Sequence, residues 1–464
     1  MTQRPVMYPY IPNSAPEAKA AMLAAIGASS IDELYTEIPD RLRLKGRLDL
    51  PQPLLSEAAL VRHMEGLLAR NTSTREALSF LGAGCYPHHV PAVCDEINSR
   101  GEFLTAYAGE PYEDHGRFQA LFEYESLMGE LLNMDVVNVP NYDGFQAAAT
   151  ALRMAARITG RTRVLIAGAV SADKLSMVRD YLKPDLAVDV LPQSHRTGRV
   201  DVAALEATLS DAYAAVYFEN PSFLGVIETD PAALVVLAHR HGALGVVAAD
   251  PLSLGVLKPP ADYGADIACG DIQGLGIHQW FGGGHGGYIA THDDPVFVHE
   301  FPSRLFGVAP TAVPGEYGFG DVAYERTSFA IREEGKEWVG TAAALWGITA
   351  GVYLALMGPQ GMTELGAGIL QRSRYALGRL SALPGVTAPF AASTPFKEIV
   401  LNFDGTGKTV AEINQALLAR GIFGGKDLSA EFPELGQSLL VCITEVHTQG
   451  DIDQLVSALA EVIG

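Results

Sequence analysis

Between residues 79 and 294 short apolar runs recur with helical segments between them. They are Arg163-Val164-Leu165-Ile166-Ala167, Asp189-Val190-Leu191, Ala214-Ala215-Val216-Tyr217-Phe218, Leu244-Gly245-Val246-Val247-Ala248, Ala265-Asp266-Ile267-Ala268 and Gly287-Tyr288-Ile289-Ala290. Runs this short, apolar on consecutive positions, offer no polar face. They suit strands covered on both sides, as in a mostly parallel sheet with helices on both faces. The segment from Asp143 to Ile158 reads as one of those helices, with Asp143 as its N-cap.

The chain around this region divides by pattern. Residues 1–78 read as an N-terminal helical arm of short, proline-broken helices, with Ser30 capping the one that starts at Ile31. Such arms often embrace a partner. A simple extension packed on its own domain is the plainer alternative. Residues 79–338 form a large α/β domain and 339–371 a long linking helix. Residues 372–464 form a small α+β domain with strands at Glu398–Phe403 and Leu439–Ile443. Its last helix carries Ile452, Leu455, Val456, Leu459 and Val462 on one stripe. The uncharged stretch Val339–Met357 is just long enough to cross a bilayer, but its glycines, threonines and alanines favour a buried helix between domains.

Composition narrows the function. A net charge of -21 over 464 residues repels phosphate backbones and argues against nucleic acid. No stretch near the start has the apolar core of a signal peptide, and the reading is cytoplasmic. The four cysteines form no CxxC pair, which suits a reducing compartment. Cys85, His88 and His89 lie close enough in sequence to be weighed as metal ligands. With no second ligand cluster, a loop cysteine beside polar neighbours is preferred and no metal is expected.

The segment Cys269-Gly270-Asp271-Ile272-Gln273-Gly274-Leu275-Gly276-Ile277-His278-Gln279-Trp280-Phe281-Gly282-Gly283-Gly284-His285-Gly286-Gly287 lies between two strand-like runs. It is neither a Walker loop nor a dinucleotide fingerprint. It resembles the lysine loop of the glycine cleavage system P-protein (glycine decarboxylase) family. The likeness continues along the chain. It runs through Tyr10-Ile11-Pro12, Phe80-Leu81-Gly82-Ala83-Gly84, Phe103-Leu104-Thr105-Ala106-Tyr107, Tyr142-Asp143-Gly144, Asp250-Pro251-Leu252-Ser253-Leu254 and Val441-Cys442-Ile443-Thr444-Glu445. The resemblance implies a fold-type I pyridoxal-phosphate (PLP) transferase-like architecture.

Catalytic members of that family carry a lysine that joins the cofactor. Lined up on the glycines, its position falls on Gln273, and an amide cannot form a Schiff base. The nearest upstream lysine, Lys258, lies on the wrong side of a strand. The resemblance therefore implies the non-catalytic α subunit of a split enzyme. A lysine-bearing β subunit, in an α2β2 assembly, would hold PLP, decarboxylate glycine and pass the aminomethyl group to a lipoyl H-protein. No cofactor is expected on this chain. Tyr142, Asp143, Gly144, Asp250 and Gln273 then form a degenerate cofactor half-site. Asp143 is a good cap and a poor phosphate ligand, and Asp250 is a strand-end polar residue.

The loop containing Tyr107, Glu110, Tyr112 and His115 is the candidate for reaching across the subunit interface, and it reads equally as a polar surface loop. Two stretches depart from the family pattern: Ala108-Gly109-Glu110 with Glu113, Asp114 and His115, and Arg326–Gly340 with Trp338. They open a second reading, a paralogous PLP enzyme acting on a different amino acid. A third is a regulatory or scaffolding pseudo-enzyme. A fourth is independent chemistry at a cluster of His88, His89, His115 and Glu123.

Overall fold

The computed structural model describes residues 7–8, 10–46, 48–103, 115–337, 339 and 343–464. The chain forms two compact units, Met1–Thr72 and Ser73–Gly464.

The first unit holds helices α1 (Pro16–Ala25) and α2 (Glu57–Leu68), neither with a buried residue. Ser30 precedes a 3-10 turn, Ile31–Tyr35, but its side chain caps nothing. The carboxylate that could complete a capping box, Glu33, is taken instead by the backbone and hydroxyl of Ser29. The boundary falls at Thr72 rather than 78 because Leu78 and Ser79 pair in parallel with Ile422 and Phe423, which ties them to the second unit.

The second unit is built on a seven-stranded sheet. Its strands are β1 (Val136–Val137), β2 (Arg163–Ala167), β3 (Ala187–Leu191), β4 (Tyr213–Glu219), β5 (Leu244–Ala248), β6 (Ile267–Asp271) and β7 (Gly287–Thr291). The spatial order is β1-β7-β6-β5-β4-β2-β3. The pairings from β3 through β6 are parallel, and β7 is antiparallel to both its neighbours. Side chains alternate between faces along each strand. Leu165, Val216, Val247 and Ala268 enter one hydrophobic cluster. Val164, Ile166, Ala215, Val246 and Ile267 enter another. Both faces are covered, as the unbroken apolar runs require.

The longer helices of this unit are α3 (His115–Leu132), α4 (Gly144–Thr159), α5 (Ala172–Leu182), α6 (Pro231–Arg240), α7 (Ala344–Leu380), α8 (Val410–Leu418) and α9 (Gln449–Ile463). Helix α4 lies close against the sheet because its inward positions are mostly alanine, with Ala147, Ala148, Ala151 and Ala155 fully buried. A Cβ at Gly287 would overlap the Asp143 carbonyl oxygen, so only glycine lets β7 pass beneath the start of α4.

Helix α7 differs from the expected span of 339–371. It runs to Leu380, placing the 372 boundary inside it, and it bends at Gly358, whose φ is 58°, just before Pro359. Proline lacks the amide and crowds the preceding turn, which explains the kink. Beyond the kink Met362, Ile369, Ala376 and Leu380 are buried, so the helix resumes because it still has a core to cover. No helix among the described residues is long and apolar enough to cross a membrane.

The C-terminal part adds a small antiparallel sheet of β8 (Glu398–Asn402), β9 (Lys426–Asp427) and β10 (Ser438–Cys442), with β10 in the middle. The apolar stripe of α9 is buried along its length.

Candidate functional site

A cavity of about 380 Å³ opens at the carboxyl ends of β4, β5 and β6, where open α/β sheets bind their ligands. Its floor is the start of α4, and its walls come from the segments around Tyr86, Asp250, Asp271 and Lys397.

A helix N-terminus attracts anions through its free amides and dipole. Here two of those amides are already bound by the chain itself. Asp143 caps α4, its Oδ1 accepting from the Gln146 amide at 2.8 Å. The Gly144 amide donates to Asp271 Oδ2 at 2.8 Å. Two carboxylates thus occupy the anion-attracting end of α4. Tyr142 does not line the cavity; its amide bonds Gln146 and its side chain is exposed.

Gln273 is 2 % exposed, and its amide is fully engaged. Oε1 accepts from the Tyr86 amide at 3.0 Å, while Nε2 donates to the Tyr86 and Ile277 carbonyls, both at 3.1 Å. Its own backbone amide donates to Asp271 Oδ1 at 2.8 Å. The Gln273 side chain is therefore a stitch holding the segment around Tyr86 against the cavity.

Asp250 was expected as a strand-end polar residue. It lies two residues beyond β5, and its Oδ2 is 2.5 Å from the Lys397 ammonium. Lys397 reaches in from just before β8, its side chain 3 % exposed and its ammonium 4.0 Å from the centroid of the Tyr86 ring. A charge this deeply buried has to be paired. The reading from sequence missed it because its partner is 147 residues away. A lysine next to an acid at the head of a buried strand was the available signal.

A second missed lysine, Lys174, sits 2.5 Å from Glu219 Oε1. Burial works against its charge, but the carboxylate outweighs it and raises the ammonium's pKa. Lys258 is exposed and does not line the cavity. Across the cavity, His285 Nδ1 is 3.1 Å from Asp271 Oδ2. Burial again opposes the charged form, but Asp271 and Cys85 push the imidazole up to about 10.

Tyr107, Glu110 and Tyr112 lie outside the described residues, as does the His115 side chain; His115 itself opens α3. Of the alternative polar cluster, His88 and Glu123 are engaged elsewhere. His88 pairs with Glu445 at 2.8 Å, and Glu123 with Gln119 on its own helix. Among the described residues no group of three His, Cys, Asp or Glu side chains could hold a metal ion.

Both the sheet order and a cavity at the strand ends define this as a fold-type I pyridoxal-phosphate enzyme architecture. The structure superposes on a crystal structure of glycine decarboxylase (P-protein) of the glycine cleavage system, in inhibitor-bound form, with a TM-score of 0.84 at 34% identity over all of both chains. Sphingosine-1-phosphate lyase of Burkholderia pseudomallei shares the fold, with a TM-score of 0.66 at 15% identity over 92% of this chain and 94% of that one. The sequence pattern of the glycine cleavage system P-protein matches residues 9–459, and the chain belongs to that family. It is 37% identical to a probable glycine dehydrogenase (decarboxylating) subunit 1 of Staphylothermus marinus, over 98% of each chain. It is 38% identical to the protein of the same name in Geobacillus kaustophilus, over 98% of this chain and 99% of that one.

Proposed function

We propose that this chain is the lysine-less α subunit of a two-chain glycine decarboxylase. Its β subunit holds PLP on a lysine, decarboxylates glycine and delivers the aminomethyl group to a lipoyl H-protein. The observation that carries this reading is that the groups that would anchor a PLP molecule in the cavity are largely engaged by the chain itself. The helix amides hold Asp143 and Asp271. Asp250, where the pyridine nitrogen would pair, holds Lys397. Gln273 has no amine, and the two lysines on the wall are ion-paired, so they offer no free lone pair to a carbonyl carbon. The residues present do not fit PLP.

The chain's contribution is then to fold around a partner and shape its site. Two observations support a partner. The relatives are named subunit 1, and the first unit exposes large apolar side chains, among them Tyr10, Leu44, Leu50 and Leu55, in a density that marks interaction surfaces. We assign it to an α2β2 assembly, with the 107–115 loop as the segment that reaches the partner's active site.

The test is co-expression with the lysine-bearing partner. The purified chain alone shows no visible aldimine absorbance. Each chain alone exchanges no carbon dioxide into glycine, and the complex with H-protein does. Exchange by the β subunit alone at the rate of the complex would leave this chain a scaffold. Turnover of another amino acid in place of glycine would make it the α subunit of a paralogue.

A further inference from the structure

A second opening lies away from the cavity at the strand ends and shares no lining residue with it. It is a crevice of about 470 Å³ between the second half of α3, the outer strand β1 and the strand Phe306–Pro310. Phe122, Met134, Val137, Leu305 and Phe306 give it apolar walls. Glu130, Asp135 and Asp293 line it as exposed acids. Arg326 is the one basic lining residue among those described, and it is already paired with Asp293. Asp135 is engaged too, holding the His292 ring at 3.0 Å and the Asp293 amide at 3.1 Å.

Glu125 also lines this crevice, and among its acids it alone is buried, at 8 % exposed. Its Oε2 accepts from the Phe306 amide at 3.2 Å, whereas Oε1 is buried with no partner. Native proteins leave few buried polar atoms unpaired, and each one calls for an account. Burial pushes this carboxyl well above the usual range, and the Phe306 amide draws it back only in part. A donor arriving through the crevice completes the pairing, and a positively charged donor does so most strongly.

We propose that the crevice binds an aliphatic ammonium or guanidinium ion, its cationic head bonded to Glu125 and its alkyl stem lying on the apolar walls. The sign of the ligand follows from the lining, where four carboxyl groups stand against one arginine and repel an anion. The stem follows from Phe122, Met134 and Leu305, which a bare metal ion leaves unused. Nor could any group of three His, Cys, Asp or Glu side chains among the described residues hold such an ion. The proton that Glu125 carries passes to water as the cation arrives, so the buried carboxylate is never left without a counter-charge. The site belongs to this chain's own residues and does not depend on the α-subunit reading.

The experiment titrates the full-length chain with butylguanidinium chloride by calorimetry at constant ionic strength, with pentanol as the uncharged probe of similar length. Butylguanidinium should bind one site per chain with a Kd on the order of 1 mM, and pentanol about tenfold more weakly or less. E125Q keeps the shape and removes the charge. It should weaken butylguanidinium by about tenfold or more and leave pentanol unchanged. A blocked tripeptide with a central arginine separates two sources of the ion. Binding as tight as that of butylguanidinium assigns the crevice to a protein side chain, and exclusion of the peptide assigns it to a free amine or guanidine. No saturable binding of butylguanidinium, equal binding of the charged and uncharged probes, or E125Q binding butylguanidinium as wild type does, overturns the proposal. Should E125Q not fold, the comparison of the two probes on the wild-type chain decides alone.

Discussion

The Lys397 ammonium lies 2.5 Å from Asp250 Oδ2, joining the start of the small sheet to the end of β5 inside the cavity. Removing one member of such a pair leaves the other charge buried without compensation, which costs about 3 kcal/mol or more. K397M is therefore expected to lose about 3 kcal/mol in urea unfolding, and K397M/D250N to regain most of it. A loss below about 1 kcal/mol would show that water, not Lys397, satisfies Asp250.

Placing a lysine at position 273 is not expected to make the cavity hold PLP. In Q273K the Tyr86 and Ile277 groups lose their amide partners, at a cost of about 1–3 kcal/mol, and the new ammonium meets anchors that remain filled. Incubation with PLP followed by borohydride should leave no pyridoxyl adduct on residue 273 by mass spectrometry. A stoichiometric adduct there would contradict the account of the cavity given above.

Glu398 provides a pH test. Burial pushes its carboxyl up to about 7, more than the Ala83 amide and the Lys397 charge draw it down. The folded state thus holds a proton that the unfolded state, near 4.5, has released. Stability from this group is complete below that value and falls as pH rises through 7. E398Q removes the titration. Its stability relative to wild type should climb by up to about 3 kcal/mol between pH 4.5 and 8, read from urea midpoints at each pH. A difference that stays constant with pH would refute it.

Gly287 tests the geometry under α4. Alanine there would press on the Asp143 carbonyl oxygen, and overpacking of this kind costs about 1–3 kcal/mol. G287A should also loosen the first turn of α4, seen as faster amide exchange at residues 144–147. Unchanged exchange at those positions would mean the strand moves instead.

Much of the scaffold was legible in the sequence, because both-face burial writes itself as unbroken apolar runs. The strands Arg163–Ala167 and Leu244–Ala248 fall where those runs lie. Asp143 caps α4 as its position before an alanine-rich helix implied. The pairings inside the cavity were not legible. Lys397 with Asp250, and Gln273 with Tyr86, join residues far apart in the chain, and no local periodicity reports them. The kink in α7 was not read: the expected helix runs unbroken through Gly358-Pro359 to 371, whereas the helix bends there and, with a core still to cover, continues to Leu380.

Asp271 touches the Gly144 amide, the Gln273 amide and the His285 ring at once. An ancestor or descendant that bound its own coenzyme would have to free that carboxylate, clear Lys397 from Asp250 and replace Gln273 together. Each change alone breaks contacts and gains no catalysis in return. If the chain is the lysine-less subunit we propose, selection acting one substitution at a time meets a valley on every side, and the chain's own side-chain bonds hold it in dependence on a partner.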